Sequence, residues 1–399
     1  MLSFLTVADD RKSVDANPAK MSQPGHRRAR VTALAGALMA GAAATGLSLA
    51  AVNPATAQNA CLTPTCVAAQ SSGQIGALSA FSTTLLNTAE GEAFLQAVMA
   101  KEVEIYFSST YDQKNLAVQN AIDAFVPNGV SANVWNMVNT PLAPTMVQNA
   151  TNNQLPANVG NLLNVVLNDT LQVGPLKSAY AATNIYGIAY QYNVPGSVGD
   201  PRPFLTAPSI AANPWTTGQA DANSLTGPAS QAQQWIDNTA SPAFPSGHSS
   251  AGNSTALTYA WMMPEQYQAL LVAGQEFGLS RNILGVHYPT DVIGGRIAAM
   301  YNLVQLLANN PDYSSNFFEV ATAASAELHV QLGSALAVPY AACAGNVAGC
   351  IAGGVFPSAA AFREARQQYI SSITYDLPSV GSTTDAPIVP VNAELLIST

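Results

Sequence analysis

The sequence predicts an all-α protein, a helical bundle whose helices are joined by long irregular loops. Apolar residues recur at helical spacing, as at Val159, Leu162 and Val166, which share one helix face. Strict alternation of apolar and polar residues is nearly absent, which argues against a fold dominated by strands. Residues 193–245 contain eight prolines among many small polar residues, and so long an irregular connection is typical of a lid or a binding loop.

The predicted helices follow a definite order along the chain. From about 75 to 192 the pattern is mostly helical, with breaks near 108–109, 127–129 and 156. After the proline-rich stretch, helices are predicted over 246–263, 264–277, 289–309, 313–333 and 357–373. We expect a single helical domain over 58–333. The segment 334–399 then holds a loop with two cysteines, one helix and an extended tail.

Scarce charge is the main feature of the composition. Charged residues make up 9% of the 399 residues, against about 25% in an average globular protein. The formal net charge is −9, so no basic face for nucleic acid is expected. Hydrophobic residues make up 48%, which is enough to build a core and excludes charge-driven disorder.

Residues 1–57 are interpreted as a leader. Three arginines between 27 and 30 form a basic region, 31–52 is uncharged, and Ala-Thr-Ala at 55–57 fits a small-x-small cleavage site. The 22 uncharged residues also have the length of a transmembrane anchor, but their alanine and glycine content favours a cleaved signal peptide. We therefore expect an exported protein (periplasmic, cell-envelope or extracellular) with no stable membrane insertion after cleavage.

The four cysteines form two close pairs in the sequence. In an exported protein, such pairs indicate disulfides. Three connectivities are possible, of which we favour the local ones, Cys61–Cys66 and Cys343–Cys350. A zinc site is the rival interpretation, but no histidine lies near either pair.

The tetrapeptide Pro245-Ser246-Gly247-His248 is the first candidate for a chemical role. A Ser-Gly pair that opens a helix presents a hydroxyl and backbone N–H groups at the positive end of the helix dipole, which is an anion site. His248 lies one residue inside and is placed to give a proton to a bound group.

The second candidate motif is Ser280-Arg281, followed after five residues by His287 and after three more by Asp291. Arg281 supplies a forked donor for a tetrahedral oxyanion. If Pro289 begins a helix, the Asp291 carboxylate lies near the imidazole and holds its Nδ1–H. The Nε2 lone pair of His287 is then available for attack.

Arg202-Pro203, inside the proline-rich stretch, precedes both motifs. The order Arg-Pro, Pro-Ser-Gly-His and Ser-Arg-x5-His-x3-Asp, with 31 residues between the last two, resembles the phosphatidic acid phosphatase type 2 / vanadium haloperoxidase superfamily, which includes bacterial acid phosphatases. The resemblance covers a catalytic core at about 170–310. It implies a helical bundle of the acid phosphatase / vanadium haloperoxidase type.

The resemblance also implies a two-step phosphoryl transfer without a metal or another cofactor. His287, oriented by Asp291, attacks phosphorus and forms a phosphohistidine. His248 protonates the leaving oxygen and then activates the hydrolytic water. The groups implied to bind the phosphate oxygens are Arg202, Arg281, Ser246 and Gly247.

The chain departs from the family at one position. The family pattern Lys-x6-Arg-Pro would place a lysine at 195, where this sequence has Pro195. No lysine follows Lys177. One cation is therefore missing or is supplied from elsewhere, and Lys177 is the nearest candidate.

The leading hypothesis is an exported phosphomonoesterase that acts on a small-molecule phosphate ester. The first alternative is a vanadium-dependent haloperoxidase on the same scaffold, in which His287 would bind vanadate. The second is a secreted binding protein with a decayed site, which only Pro195 supports. Lipid-acting members of the family usually carry several membrane helices, so a soluble substrate is favoured.

Overall fold

The described residues of the chain, taken from a computed structural model, are helical and contain no strand. The structure describes residues 61–78, 88–122, 124–168, 171, 173–174, 176–177, 201–211, 241–333, 358–380 and 390–396. The proposed leader, the Cys343–Cys350 pair and Pro195 lie outside these residues. The prediction of an all-α fold is confirmed.

The helices are labelled in chain order. They are α1 (Pro64–Ala77), α2 (Ala89–Ser108), α3 (Tyr111–Ala121), α4 (Pro127–Met137), α5 (Ala143–Thr151), α6 (Ala157–Val166), α7 (Pro203–Thr206), α8 (Pro208–Ala211), α9 (Gly247–Met262), α10 (Tyr267–Ile283), α11 (Pro289–Leu307), α12 (Phe317–Leu332) and α13 (Ala359–Thr374). Short 3-10 turns cover Pro264–Gln266 and Ala393–Leu396.

Local sequence signals set many of the helix boundaries. The side chains of Thr88 and Thr110 accept hydrogen bonds from backbone N–H groups in the first turns of α2 and α3. Pro127 begins α4, and Pro156 is the N-cap of α6. The predicted breaks near 108, 127 and 156 are therefore confirmed.

The predicted helix 264–277 is wrong at both ends. A 3-10 turn occupies its first residues, and α10 continues past Phe277 to Ile283. Gly278 lies inside α10, at a point where the helix packs closely against its neighbours. A Cβ added there would lie 2.8 Å from the Val292 side chain and 3.1 Å from Ser249 Oγ. The backbone leaves the helix at Gly285, whose φ of 69° favours glycine.

Helix α9 is the central helix of the described bundle. It packs against α10 and α11, and all its residues are buried except the half-buried His248 and Trp261. Two hydrogen bonds join its start to the start of α11: Ser246 N donates to Asp291 O at 2.9 Å, and Ser249 Oγ donates to Val292 O at 2.8 Å. The two helix N-termini are thereby held side by side.

Gly295 permits this close approach of α11 to α9. A Cβ at this position would overlap the Ser246 carbonyl oxygen and lie 3.0 Å from Ser249 Cβ. We expect Gly295→Ala to lower the free energy of unfolding by about 1–3 kcal/mol, because the strain falls on packed backbone. Chemical denaturation measures this loss.

The matched control for that substitution is Gly160→Ala in α6. Nothing lies within 4 Å of a Cβ added at Gly160, so the better helix propensity of alanine should leave the stability equal or slightly higher. Equal effects of the two substitutions would contradict the role given to Gly295.

The first cysteine pair forms the predicted disulfide, Cys61–Cys66. Cys61 N donates to Tyr313 O at 2.9 Å, and Gln70 Nε2 donates to both Cys61 O and Asp312 O. The disulfide loop is thus tied to the segment before α12. Of the helices that the structure describes, none combines the length and the hydropathy needed to cross a bilayer.

Candidate active site

The two sequence motifs and Arg202 meet where several helix ends converge. Ser246 is the N-cap of α9 and accepts from Ser249 N at 3.2 Å, and His248 lies in the first turn of that helix. Arg281 lies in the last turn of α10, and Asp291 in the first turn of α11. Every predicted site residue lies in the described part of the chain, and no side chain of this set is fully exposed.

The contacts of His287 fix its tautomer. Arg202 Nη1 lies 2.9 Å from His287 Nε2, and a guanidinium can only donate. Nε2 therefore carries the lone pair, and the ring proton is on Nδ1. This Nδ1–H faces Asp291 Oδ2 at 3.2 Å, and the same oxygen accepts from Tyr288 N at 2.8 Å. The carboxylate holds the imidazole with Nε2 directed at Arg202.

Backbone carbonyls orient the Arg202 guanidinium. Nη1 donates to Val286 O at 2.9 Å and Nε donates to Ser241 O at 3.0 Å, while Nη2 lies 3.2 Å from Ser241 Oγ. Tyr288, the residue after His287, also contacts the loop that carries Arg202, because its Oη donates to Pro201 O at 3.1 Å. The loop that carries Arg202 is therefore attached to the segment that carries His287.

Arg281 is a buried cation, two of whose three guanidinium nitrogens are not satisfied by the described residues. Its side chain is 1% exposed, and neither Nε nor Nη1 has a hydrogen-bond partner there. Burial and the nearby charge of Arg202 lower the pKa of Arg281 to about 9, so it stays charged at neutral pH. An unpartnered buried guanidinium is costly unless an anion neutralises it.

His248 lies at the partly open side of the site. Its Nε2 is 3.3 Å from Ala121 O, the last carbonyl of α3. A carbonyl oxygen can only accept, so Nε2 carries the proton. Phe125 contacts the same imidazole edge-to-face, with ring centroids 4.9 Å apart. The turn between α3 and α4 thus covers one side of His248.

Lys177 also reaches this region, although it is far from Arg202 in sequence. Its Nζ donates to Pro242 O at 2.7 Å and lies 3.3 Å from Ala243 O. Arg202 Nη2 lies 3.4 Å from the same Pro242 oxygen. Two cations therefore converge on the segment that precedes the Pro-Ser-Gly-His motif.

The electrostatics of the cluster keep both histidines neutral. The pKa of His287 is held well below its usual range by burial, then by the charges of Arg202, Lys177 and Arg281. The pKa of His248 is also held well below its usual range, by burial and the same three cations, against a smaller opposing effect of the Ala121 carbonyl. The site is a local concentration of positive charge in an acidic protein.

A buried polar chain behind His287 was not predicted from the sequence. Asn282 Nδ2 donates to His287 O at 2.8 Å and to Glu102 Oε2 at 2.9 Å, and Tyr375 Oη donates to Asn282 Oδ1 at 2.9 Å. Burial raises the pKa of Glu102 well above its usual value. The only signal in the sequence was that Asn282 follows Arg281 of the second motif. The sequence does not indicate its partners, because Glu102 lies in α2 and Tyr375 at the end of α13.

The remaining titratable clusters offer no metal centre. Among the residues that the structure describes, no group of three or more His, Cys, Asp and Glu side chains is arranged to hold a metal ion. His329 lies apart from the site and is paired with Glu265 at 2.9 Å.

The family comparison agrees with this geometry. Residues 176–309, about a third of the chain, match the model of the PAP2 superfamily. This segment contains Lys177, Arg202 and both histidine motifs.

Individual relatives are acid phosphatases. Over 70 residues the chain is 39% identical to a non-specific acid phosphatase of Providencia stuartii, covering 18% of this chain and 28% of that protein. Over 63 residues it is 40% identical to a non-specific acid phosphatase of Salmonella typhimurium (16% of this chain, 25% of that protein). An acid phosphatase of Zymomonas mobilis is also 40% identical over 63 residues (16% and 24%). The chain thus spans about a quarter of the length of the curated relatives it matches.

Proposed function

We propose that the protein is an exported phosphomonoesterase that hydrolyses small organic phosphates through a phosphohistidine at His287. The observation that carries the proposal is the oriented, neutral His287 beside two buried arginines. The match of residues 176–309 to the PAP2 superfamily and the likeness of part of the chain to acid phosphatases support the reaction class.

Attack by His287 requires a free lone pair on Nε2. In the ligand-free chain, Arg202 Nη1 covers that lone pair at 2.9 Å. An arriving phosphate offers Arg202 an anionic acceptor, which makes a stronger hydrogen bond than neutral imidazole. The guanidinium then turns its donor to a phosphate oxygen, and Nε2 is free to attack phosphorus while Asp291 stabilises the developing imidazolium.

The phosphate oxygens are bound by groups that the fold has already placed. The unsatisfied Nε and Nη1 donors of Arg281 acquire acceptors when the phosphate enters. Ser246 and the first-turn N–H of Gly247 lie at the N-terminus of α9, where a helix favours an anion. Positioning and charge neutralisation supply most of the catalysis in phosphoryl transfer.

His248 is assigned as the general acid and base. Because its Nε2–H is directed at Ala121 O, the proton that it gives to the leaving alkoxide is a second one carried on Nδ1. The same atom then takes a proton from the water that hydrolyses the phosphohistidine. The bound phosphate offsets the charge of the three cations, which raises the pKa of His248 relative to the ligand-free chain. Protonation and phosphate binding therefore reinforce each other.

Lys177 is assigned to supply the charge that the family places at position 195. Its contact with Pro242 O puts the ammonium beside Arg202, and its charge lowers the pKa of both histidines. No metal ion or other cofactor is required by this scheme.

Export is proposed on the leader-like composition of residues 1–57 and on the Cys61–Cys66 disulfide. Disulfides form and persist in oxidising compartments outside the cytosol. After removal of the leader the chain would carry eight basic and 20 acidic residues.

The test is a panel of phosphomonoesters assayed with the purified chain, with and without vanadate and with and without a chelator. We expect release of inorganic phosphate, competitive inhibition by vanadate in the same pocket, and no effect of the chelator. Parallel assays with vanadate, peroxide and bromide address the haloperoxidase alternative.

Two outcomes would contradict the proposal. Peroxide-dependent bromination without phosphate release would establish the haloperoxidase. Neither activity on any ester would favour a binding protein with a decayed site.

A further inference from the structure

We infer that Phe125 forms a leaving-group subsite that gives the enzyme a preference for phosphomonoesters of aromatic alcohols. This inference rests on the proposed function, and it concerns which ester the same site takes. The residue lies in the turn between α3 and α4, outside both sequence motifs.

The exposure of the side chains defines the direction in which a substrate enters. The groups that surround the phosphate are buried: Arg281, Arg202 and His287 are each at most 3% exposed. His248 is half-buried, and Phe125 is 46% exposed. His248 and Phe125 therefore mark one side on which the described site reaches solvent, while Lys177 and Ser241, near Arg202, are also half-buried.

The chemistry places the leaving group on that same side. The leaving oxygen must lie within hydrogen-bond reach of His248, because His248 protonates it. The carbon skeleton attached to that oxygen points away from the buried phosphate and so passes the ring that contacts His248. That ring is Phe125, whose centroid is 4.9 Å from the imidazole centroid.

The surface presented to this skeleton is apolar. Phe125 is followed by Val126, which is 51% exposed. A flat aromatic leaving group can pack against a phenylalanine in stacked or edge-to-face geometry, and such a pair contributes beyond the area it buries. A short alkyl group would leave most of that surface in water.

The experiment compares two esters whose leaving alcohols are both primary, 2-phenylethyl phosphate and ethyl phosphate. We expect the wild-type chain to favour the phenylethyl ester in kcat/KM. Phe125→Ala should lower kcat/KM for the phenylethyl ester roughly 3- to 10-fold more than for the ethyl ester, as the loss of one aromatic contact predicts. The control is Phe107→Ala, an aromatic residue of similar exposure (52%) in α2, which should keep the wild-type ratio.

Binding gives a second measurement that does not depend on turnover. Inhibition by 2-phenylethylphosphonate and by ethylphosphonate should show the same selectivity, and Phe125→Ala should reduce it. A ratio that Phe125→Ala leaves unchanged in both measurements would overturn the subsite, because Phe125 would then act only by supporting His248. If the wild-type chain hydrolyses neither ester, the proposed function itself fails, and this is visible before any variant is compared.

Discussion

Replacing His287 with alanine is expected to abolish phosphatase activity, lowering kcat/KM by roughly 10⁴-fold or more. The reason is that the Nε2 lone pair is the nucleophile. Asp291 Oδ2 orients the ring through Nδ1 at 3.2 Å, and Arg202 Nη1, 2.9 Å from Nε2, turns to the phosphate when it binds. Without it, no phosphoenzyme can form, and the arginines are left to bind phosphate without a nucleophile.

The matched control is His329→Ala. His329 is also a histidine of a helix, but it is paired with Glu265 away from the site, so its loss should leave kcat/KM near the wild-type value. If His287→Ala retained phosphate release at a comparable rate, the phosphohistidine mechanism would be wrong.

The intermediate itself gives a more direct measurement. In His248→Ala, a good leaving group such as p-nitrophenolate needs no protonation, whereas the phosphohistidine lacks the base that activates water. We expect this variant to accumulate a phosphoryl adduct that peptide mass spectrometry, after an alkaline quench, places on His287. An adduct on another residue would reassign the nucleophile.

Stability at acidic pH gives an independent signature of the neutral histidine. The folded chain holds the pKa of His287 well below its usual value, so the unfolded chain binds the proton more readily. Above the ordinary histidine pKa of about 6.5, neither the folded nor the unfolded chain binds this proton. As the pH falls below that value, the unfolded chain binds it while folded His287 stays neutral, so the free energy of unfolding decreases. His287→Ala should therefore lose less stability than the wild type between neutral and acidic pH.

The parts of the site that could be predicted from the sequence are those set by local spacing. A helix that begins at Pro289 places Asp291 within reach of His287, and the structure shows this contact. A Ser-Gly pair before a helix indicates an anion site, and Ser246 is the N-cap of α9. Both depend on residues within one turn of each other, which sequence patterns describe well.

The remaining parts depend on contacts between residues distant in the chain. Glu102 reaches Asn282 across 180 positions. Lys177 was named from the sequence as the candidate cation, but its contact with Pro242, 65 positions away, was not predicted. No local period relates such residues, because tertiary packing brings them together. The contact of Phe125 with His248 was not predicted for the same reason, because it follows from the way α3 and α4 pack beside α9 and α10.

Arg281→Met is expected to separate activity from stability. We expect kcat/KM to fall roughly 10²- to 10³-fold, because Arg281 is one of the preorganised donors for the transferring phosphoryl group. We expect the ligand-free variant to be more stable than the wild type by about 1 kcal/mol or more, because an apolar side chain replaces a buried cation whose Nε and Nη1 have no partner among the described residues. The folded chain would thus have a lower free energy of unfolding because it keeps the Arg281 guanidinium positioned to bind an anion.

Arg296→Met is the matched control, since Arg296 is also buried but is satisfied. Its Nη1 donates to Gln275 Oε1 at 2.7 Å and its Nη2 to Ile373 O at 3.1 Å. Removing it leaves buried acceptors unpaired and should lower the stability. The opposite signs follow from whether the described residues satisfy the guanidinium, and the nearby charge of Arg202 adds to the cost of the cation at Arg281.

Phosphate links the two effects of Arg281→Met. Inorganic phosphate should raise the Tm of the wild-type chain, because a ligand that binds the folded state stabilises it, and the variant should show little of this rise. Calorimetry with and without phosphate measures both quantities on the same samples. A variant that is less stable than the wild type, yet is still stabilised by phosphate to the same extent, would show that Arg281 is a structural residue and that the anion is bound elsewhere.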